Sequence, residues 1–126
     1  MIIVTVIILL AITGEIILSI TTHHLDDLSS IPIEDVDLST VDDGAYQGSY
    51  AAFPVEVSVK VTVKDHMISK IEILKHDNGK GKAAEAITDD VIEAQSLQVD
   101  TVSGATYSSL VILLSIQDAL NKAINP

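Results

Sequence analysis

The sequence predicts an α+β fold, a small antiparallel sheet with two packed helices, preceded by an N-terminal transmembrane helix. Three observations lead there. Residues 55–75 alternate apolar and polar side chains around a short reversal, the period of paired strands with one buried face. Two later segments repeat apolar residues at helical spacing, and strands followed by helices without strict alternation favour α+β over a parallel sheet. The first twenty residues are almost wholly apolar.

That first segment, "MIIVTVIILLAITGEIILSI", holds thirteen Ile, Leu or Val and one charge, Glu15. It has about the length that crosses a hydrocarbon core. Each strong apolar residue contributes roughly −0.3 to −0.6 kcal/mol, enough in sum to offset one carboxylate away from the centre. An uncleaved anchor over residues 1–21 is the reading taken. A cleaved signal peptide competes, but no basic n-region and no small-x-small cleavage site stands between Ile12 and His24; a buried soluble helix is the third reading. No Lys or Arg flanks the span, so charge does not orient it. Glu15, close to one end, is placed at the headgroup layer rather than as a functional intramembrane carboxylate.

Residues 22–43 are rich in Asp, Ser and Thr, contain one Pro and show no periodicity, which predicts an acidic, extended linker. His23 and His24 are adjacent and point opposite ways in an extended chain, with no third ligand spaced to join them, so they are not read as a metal pair. The charge is uneven. Glu15, Asp26, Asp27, Glu34, Asp35, Asp37, Asp42 and Asp43 precede residue 46 with no Lys or Arg, whereas all seven Lys lie beyond it. A net charge of −11 without Arg excludes a nucleic-acid binder, which needs basic patches for phosphates. With no Cys, disulfides, thiolate catalysis and iron–sulfur ligation by Cys are excluded too, and any redox work requires a borrowed organic cofactor.

The remainder, residues 44–126, is one domain with ample apolar content for a core. In "VEVSVKVTVK", Val55, Val57, Val59, Val61 and Val63 form one face. Asp65 and His66 make the reversal, where His66 must take a positive φ at some strain. "MISKIEILK" returns with Ile71 and Ile73 on a shared face. After the loop "KHDNGKGK", "AAEAITDDVIEAQS" sets Ala84, Ile87, Val91 and Ala94 on one stripe, predicting an amphipathic helix. "LQVDTV" is short and β-like. The last segment, "ATYSSLVILLSIQDALNKAIN", aligns Leu113, Ile116, Leu120 and Ala123 as the buried side of a second helix.

Between these lies "VDTVSGATYSS", residues 99–109, which reads as a strand end, a tight turn and a helix start. Gly104 allows a backbone conformation or close approach that a side chain would block, and Ser103 and Thr106 are residue types that cap helices. Unpaired amides and the positive dipole end suit a phosphate there. An ordinary capped helix start accounts for the same features on physics alone.

The spacing Asp-x-x-Ser-Gly-Ala-Thr is more specific. Through Asp100, Ser103, Gly104, Ala105 and Thr106 the segment resembles the FMN-binding domain family, which includes flavin-carrying subunits of sodium-translocating NADH:quinone reductase and of the Rnf complex. "DGAYQGSY", "VKVTVKDHMISKIEILKH" and "VIEAQSLQVDTVSGATYSS" follow that family's order, so the resemblance covers about residues 43–124. It implies that Thr106 accepts FMN through a phosphoester bond, delivered from FAD by a flavin transferase with release of AMP. It implies that Asp100 serves the modification, as a base or a ligand for the transferase's magnesium, and that Ser103, Gly104 and Ala105 shape the turn and donate amides to the attached phosphate. His66 at the hairpin turn and Thr101 depart from the family's frequent Gly at those places without touching the acceptor.

Secondary candidates stand beside plainer readings. His76 is a donor or cation near the flavin, or part of a solvated loop. Lys80 and Lys82 attract phosphate, or are surface charge. Among Tyr46, Tyr50, Phe53 and Tyr107, one stacks on the ring, with Tyr107 the cofactor-binding candidate, while core packing is the expected use of at least two. The expected function is a membrane-anchored, extracytoplasmic electron carrier with covalent FMN, working with a redox partner protein or membrane electron-transfer complex and using the protein to hold and tune the ring. A non-redox module of the same fold and an autonomous flavin reductase are the alternatives. With no nicotinamide site or second cofactor motif, an electron-transfer domain or subunit is favoured over a complete enzyme.

Overall fold

The computed structural model describes residue 28, residues 30–77 and residues 81–124, the side chains of Gly81 and Lys82 excepted. The chain divides into two compact units, Met1–Ile31 and Pro32–Pro126. Of the first unit only three residues are described, and there Ile31 N–H donates to the Leu28 carbonyl at 3.2 Å. The expected anchor over residues 1–21 and the His23–His24 pair lie outside the described residues. Among the described residues no helix is long and apolar enough to cross a membrane.

The second unit is a three-stranded antiparallel meander in the order β1-β2-β3 (Gly44–Ala52, Val55–Lys64, Met67–Asp77), followed by α1 (Gly81–Glu85), α2 (Ile87–Ala94) and α3 (Thr106–Ile124). A 3₁₀ turn, Leu38–Thr40, precedes the sheet. The α+β expectation holds for this unit. Valine alternation makes β2 the central strand: Val55, Val57, Val59, Val61 and Val63 are all buried, each contributing on the order of 1.5–3 kcal/mol by leaving water. Asp65 and His66 turn the chain with φ of 52° and 61°, the two positive values a type I′ hairpin demands, so the expected strain at His66 is present and Asp65 shares it. Ile71 and Ile73 pair with Val61 and Val59, on one face as expected, although two register shifts bend β3 between Ser58/Val59 and Thr62/Val63.

The sequence reading missed β1. Its inward positions, Gly44, Tyr46, Gly48, Tyr50 and Ala52, are opposite the core valines but do not look like a buried face. The reason is α3, which lies across the sheet so closely that a Cβ at Gly48 would overlap the backbone of Ser115 and Ala119. The single amphipathic helix expected over residues 83–96 is broken at Ala86: Thr88 Oγ1 donates to the Glu85 carbonyl at 2.9 Å and competes with the helical ladder. Ala84, Ile87 and Val91 are buried as expected, but Ala94 is exposed, because Gln95 takes a left-handed conformation, ends α2, and passes the buried position to Leu97. The Gln95 side chain then pairs with the edge of β3, accepting from Ile68 N–H at 2.7 Å and donating to the Ile68 carbonyl at 2.9 Å.

"LQVDTV" forms no strand. It is fastened by hydrogen bonds to residues 32–43, which the sequence assigns to a linker and the structure includes in the compact unit. Asp35 accepts from Leu97 N–H at 2.6 Å and from the Ser96 hydroxyl at 2.7 Å, and Gln98 Nε2 donates to the Ile33 carbonyl at 2.5 Å. The last helix is buried on more than the stripe Leu113, Ile116 and Leu120. Val111 to Ile116 are consecutively buried, as in a helix covered on several sides, while Ala123 is only half-buried.

Candidate functional site

One end of the sheet gathers the sequence-derived candidates. The β1–β2 turn, Phe53 and Pro54 joined by a cis peptide, lies at that end, as do the last residues of β3. Helix α3 begins there too, because the Tyr107 hydroxyl donates to the Phe53 carbonyl at 2.7 Å and lies 3.2 Å from that of Ala52. Burial of the phenol, and then the neighbouring Tyr50, push Tyr107 above its ordinary value of 10.0.

The turn preceding α3 is built from the motif itself. Ala105 N–H donates to the Val102 carbonyl at 2.9 Å, and Gly104 sits between them with φ +79°, the value of the third residue in a type II turn. Nothing lies within 4 Å of a Cβ placed on Gly104, so glycine is there for conformation and not for close approach. The Ala105 carbonyl accepts the first helical bond, from Ser109 N–H at 3.0 Å, which makes Ala105 the cap. The expected cap residues, Ser103 and Thr106, flank that position instead. Alanine is only 5% exposed, and its methyl supplies no oxygen to first-turn amides. Thr106 is therefore the first helical residue, with its side chain exposed beside Ser103 and Gly104, and Asp100 is exposed in the extended segment upstream.

A cross-strand row runs through the same end of the sheet. Tyr50 pairs with Val57, and Val57 pairs with His76, so all three side chains share the face that α3 covers. His76 Nε2 is buried and has no hydrogen-bond partner among the described residues. A buried polar atom without a partner costs roughly 1–3 kcal/mol and suits a ligand edge. His76 is thus part of a strand on the α3 side, not of a solvated loop. Lys80 lies outside the described residues and so does the side chain of Lys82. Tyr46 is drawn away, its hydroxyl donating to the Asp42 carbonyl at 2.7 Å. The expected use of two aromatics in the core does not occur: the buried set is aliphatic, Tyr46, Tyr50 and Tyr107 are half-buried, and Phe53 is 78% exposed at the turn.

Sequence reasoning passed over Ser109. It is fully buried, donates to the Ala105 carbonyl at 2.7 Å and accepts from Val102 N–H at 3.1 Å. Only its place in a run of hydroxyls before an apolar stretch signals it. The described residues contain no cluster of His, Asp or Glu able to hold a metal ion.

A small α+β unit thus combines an exposed hydroxyl at a helix entrance with a buried imidazole nitrogen that has no partner among the described residues, both at one end of the sheet. The family model described as FMN-binding domain matches residues 53–121, more than half of the chain, and the chain belongs to that family. No curated protein matches the chain. FMN is accordingly its cofactor, and the residues present fit it. The helix entrance at Thr106 would offer its first-turn amides to the phosphate, and His76 Nε2, unpartnered among the described residues, would be available to hydrogen-bond the ring. When bound, FMN supplies hydride or electron exchange, and the protein's own groups hold and orient it.

Proposed function

We propose that this chain is a membrane-anchored, extracytoplasmic electron carrier with FMN esterified to Thr106. The observation that carries the attachment is the exposed hydroxyl at the first position of α3, directly after the Gly104 turn and inside the matched region. In the attachment step Thr106 Oγ1 forms a bond to the phosphorus on the flavin side of FAD. The pyrophosphate bond breaks, AMP leaves, and the hydroxyl proton passes to a base. Asp100 serves that step as base or magnesium ligand, while Ser103, Gly104 and Ala105 form the presenting turn. Membrane attachment rests on the apolar composition of residues 1–21. The carrier role rests on a flavin-binding domain without a second cofactor motif or nicotinamide site. Its partners are a flavin transferase and a redox partner protein or membrane electron-transfer complex.

Co-production with a flavin transferase tests the attachment. The chain is expected to stay yellow and fluorescent after denaturing electrophoresis, and Thr106→Ala to lose both. Fluorescence that persists in Thr106→Ala would move the attachment elsewhere. A colourless wild-type chain would favour a non-redox module. Reoxidation of its flavin by small acceptors alone, with no partner present, would favour an autonomous reductase.

A further inference from the structure

Ser109 makes a connection that an ordinary buried helix serine does not. Ser115, equally buried in the same helix, donates to the Ile112 carbonyl at 2.7 Å and stays within its own helix. The Ser109 hydroxyl donates backward in the same manner, to Ala105, but also accepts the Val102 amide from outside the helix. Val102 is consequently held through both its N–H, by Ser109, and its carbonyl, by Ala105. Between the half-buried Val102 and the buried Ala105, Ser103 and Gly104 are exposed, and the space around Gly104 is open. The exposed part of the turn is therefore shaped by these hydrogen bonds at its two anchored ends, and Thr106 follows it immediately.

We propose that Ser109 is the positioning residue for Thr106, locking the 102–105 turn to the helix so that the Thr106 hydroxyl meets the transferase in one geometry. This rests on the proposed attachment at Thr106. Ser109 touches neither FAD nor the reacting phosphorus. It acts by removing alternative orientations of the nucleophile, an effect of preorganisation.

The test times flavin incorporation into the full chain by intact mass, with purified flavin transferase, FAD and magnesium. Ser109→Ala and Ser109→Val, which lack the hydroxyl, are expected to be modified on the order of ten- to a hundredfold more slowly, with KM for FAD unchanged. Ser109→Thr, which keeps the hydroxyl, is expected to restore the wild-type rate. Ser115→Ala removes a comparable buried hydroxyl away from the turn and is expected to be modified at the wild-type rate. Modification of Ser109→Ala as fast as Ser115→Ala would overturn the proposal while leaving the attachment intact, and a wild-type chain that takes up no flavin would overturn both. Should the Ser109 variants not fold, amide exchange in the unmodified wild-type chain decides: the Val102 amide is expected to be protected relative to Thr101, and equal exchange would contradict the lock.

Discussion

At Thr106 a polar side chain faces solvent while Ala105 before it is buried, and the difference follows from the turn that Gly104 closes. Gly104→Ala introduces no clash, so its cost is conformational: about 1–2 kcal/mol for a left-handed residue with a Cβ, measurable by denaturant unfolding of the unmodified chain. Tyr107 ties the same helix start to the β1–β2 turn. Tyr107→Phe is expected to lose roughly 1 kcal/mol, read by thermal unfolding near neutral pH. Because the folded state raises the Tyr107 pKa, its contribution is fully present below the ordinary value of 10.0 and is lost as pH rises through the folded value. The wild-type chain should therefore lose more stability above pH 10.0 than Tyr107→Phe does. Gly104 and Thr106 were legible in the sequence because glycine before a helix and a specific local spacing carry their meaning nearby. Ser109, Tyr107 and His76 were less so, since the Val102 amide, the Phe53 carbonyl and the Val57 pairing that define them appear only after folding.

Among the elements, β2, the Asp65–His66 turn and the body of α3 were legible because alternation and helical spacing each persist over many residues. The strand β1 was not, because tertiary packing dictates its inward residues. Gly48 is small where the backbone of α3 comes close, and Asp118 of the same helix accepts from Ser49 N–H at 2.9 Å. Gly48→Ala must separate α3 from the sheet, and a loss of roughly 3 kcal/mol is expected in denaturant unfolding. An unchanged midpoint would mean the two backbones are not in such close approach. The break at Ala86 was equally hidden. The residues around it favour a helix, and only the Thr88 hydroxyl bonding to Glu85 shows why the ladder is interrupted there.

For the second unit as a whole, composition suggested a linker where the fold uses a strap. Residues 32–43 were read as linker because they are acidic and aperiodic, yet Asp35 uses its charge to hold the Leu97 amide, and His66 Nδ1 lies 3.2 Å from the Val41 carbonyl. Asp35→Ala leaves the Leu97 amide without this partner and is expected to cost about 1–3 kcal/mol, seen as faster proteolytic cleavage within residues 32–43 under native conditions. The surface ion pairs of Lys70 with Glu72 and of Lys75 with Glu56 and Asp77 are exposed, and contribute little by comparison. What the unit accomplishes is to leave the Thr106 hydroxyl exposed at the start of α3, at the sheet end where His76 Nε2 has no hydrogen-bond partner among the described residues. Peptide mapping of the chain isolated from its native cells tests the proposed attachment most directly: the account predicts an FMN phosphoester on the peptide that contains Thr106, and recovery of that peptide with its threonine unmodified would contradict it.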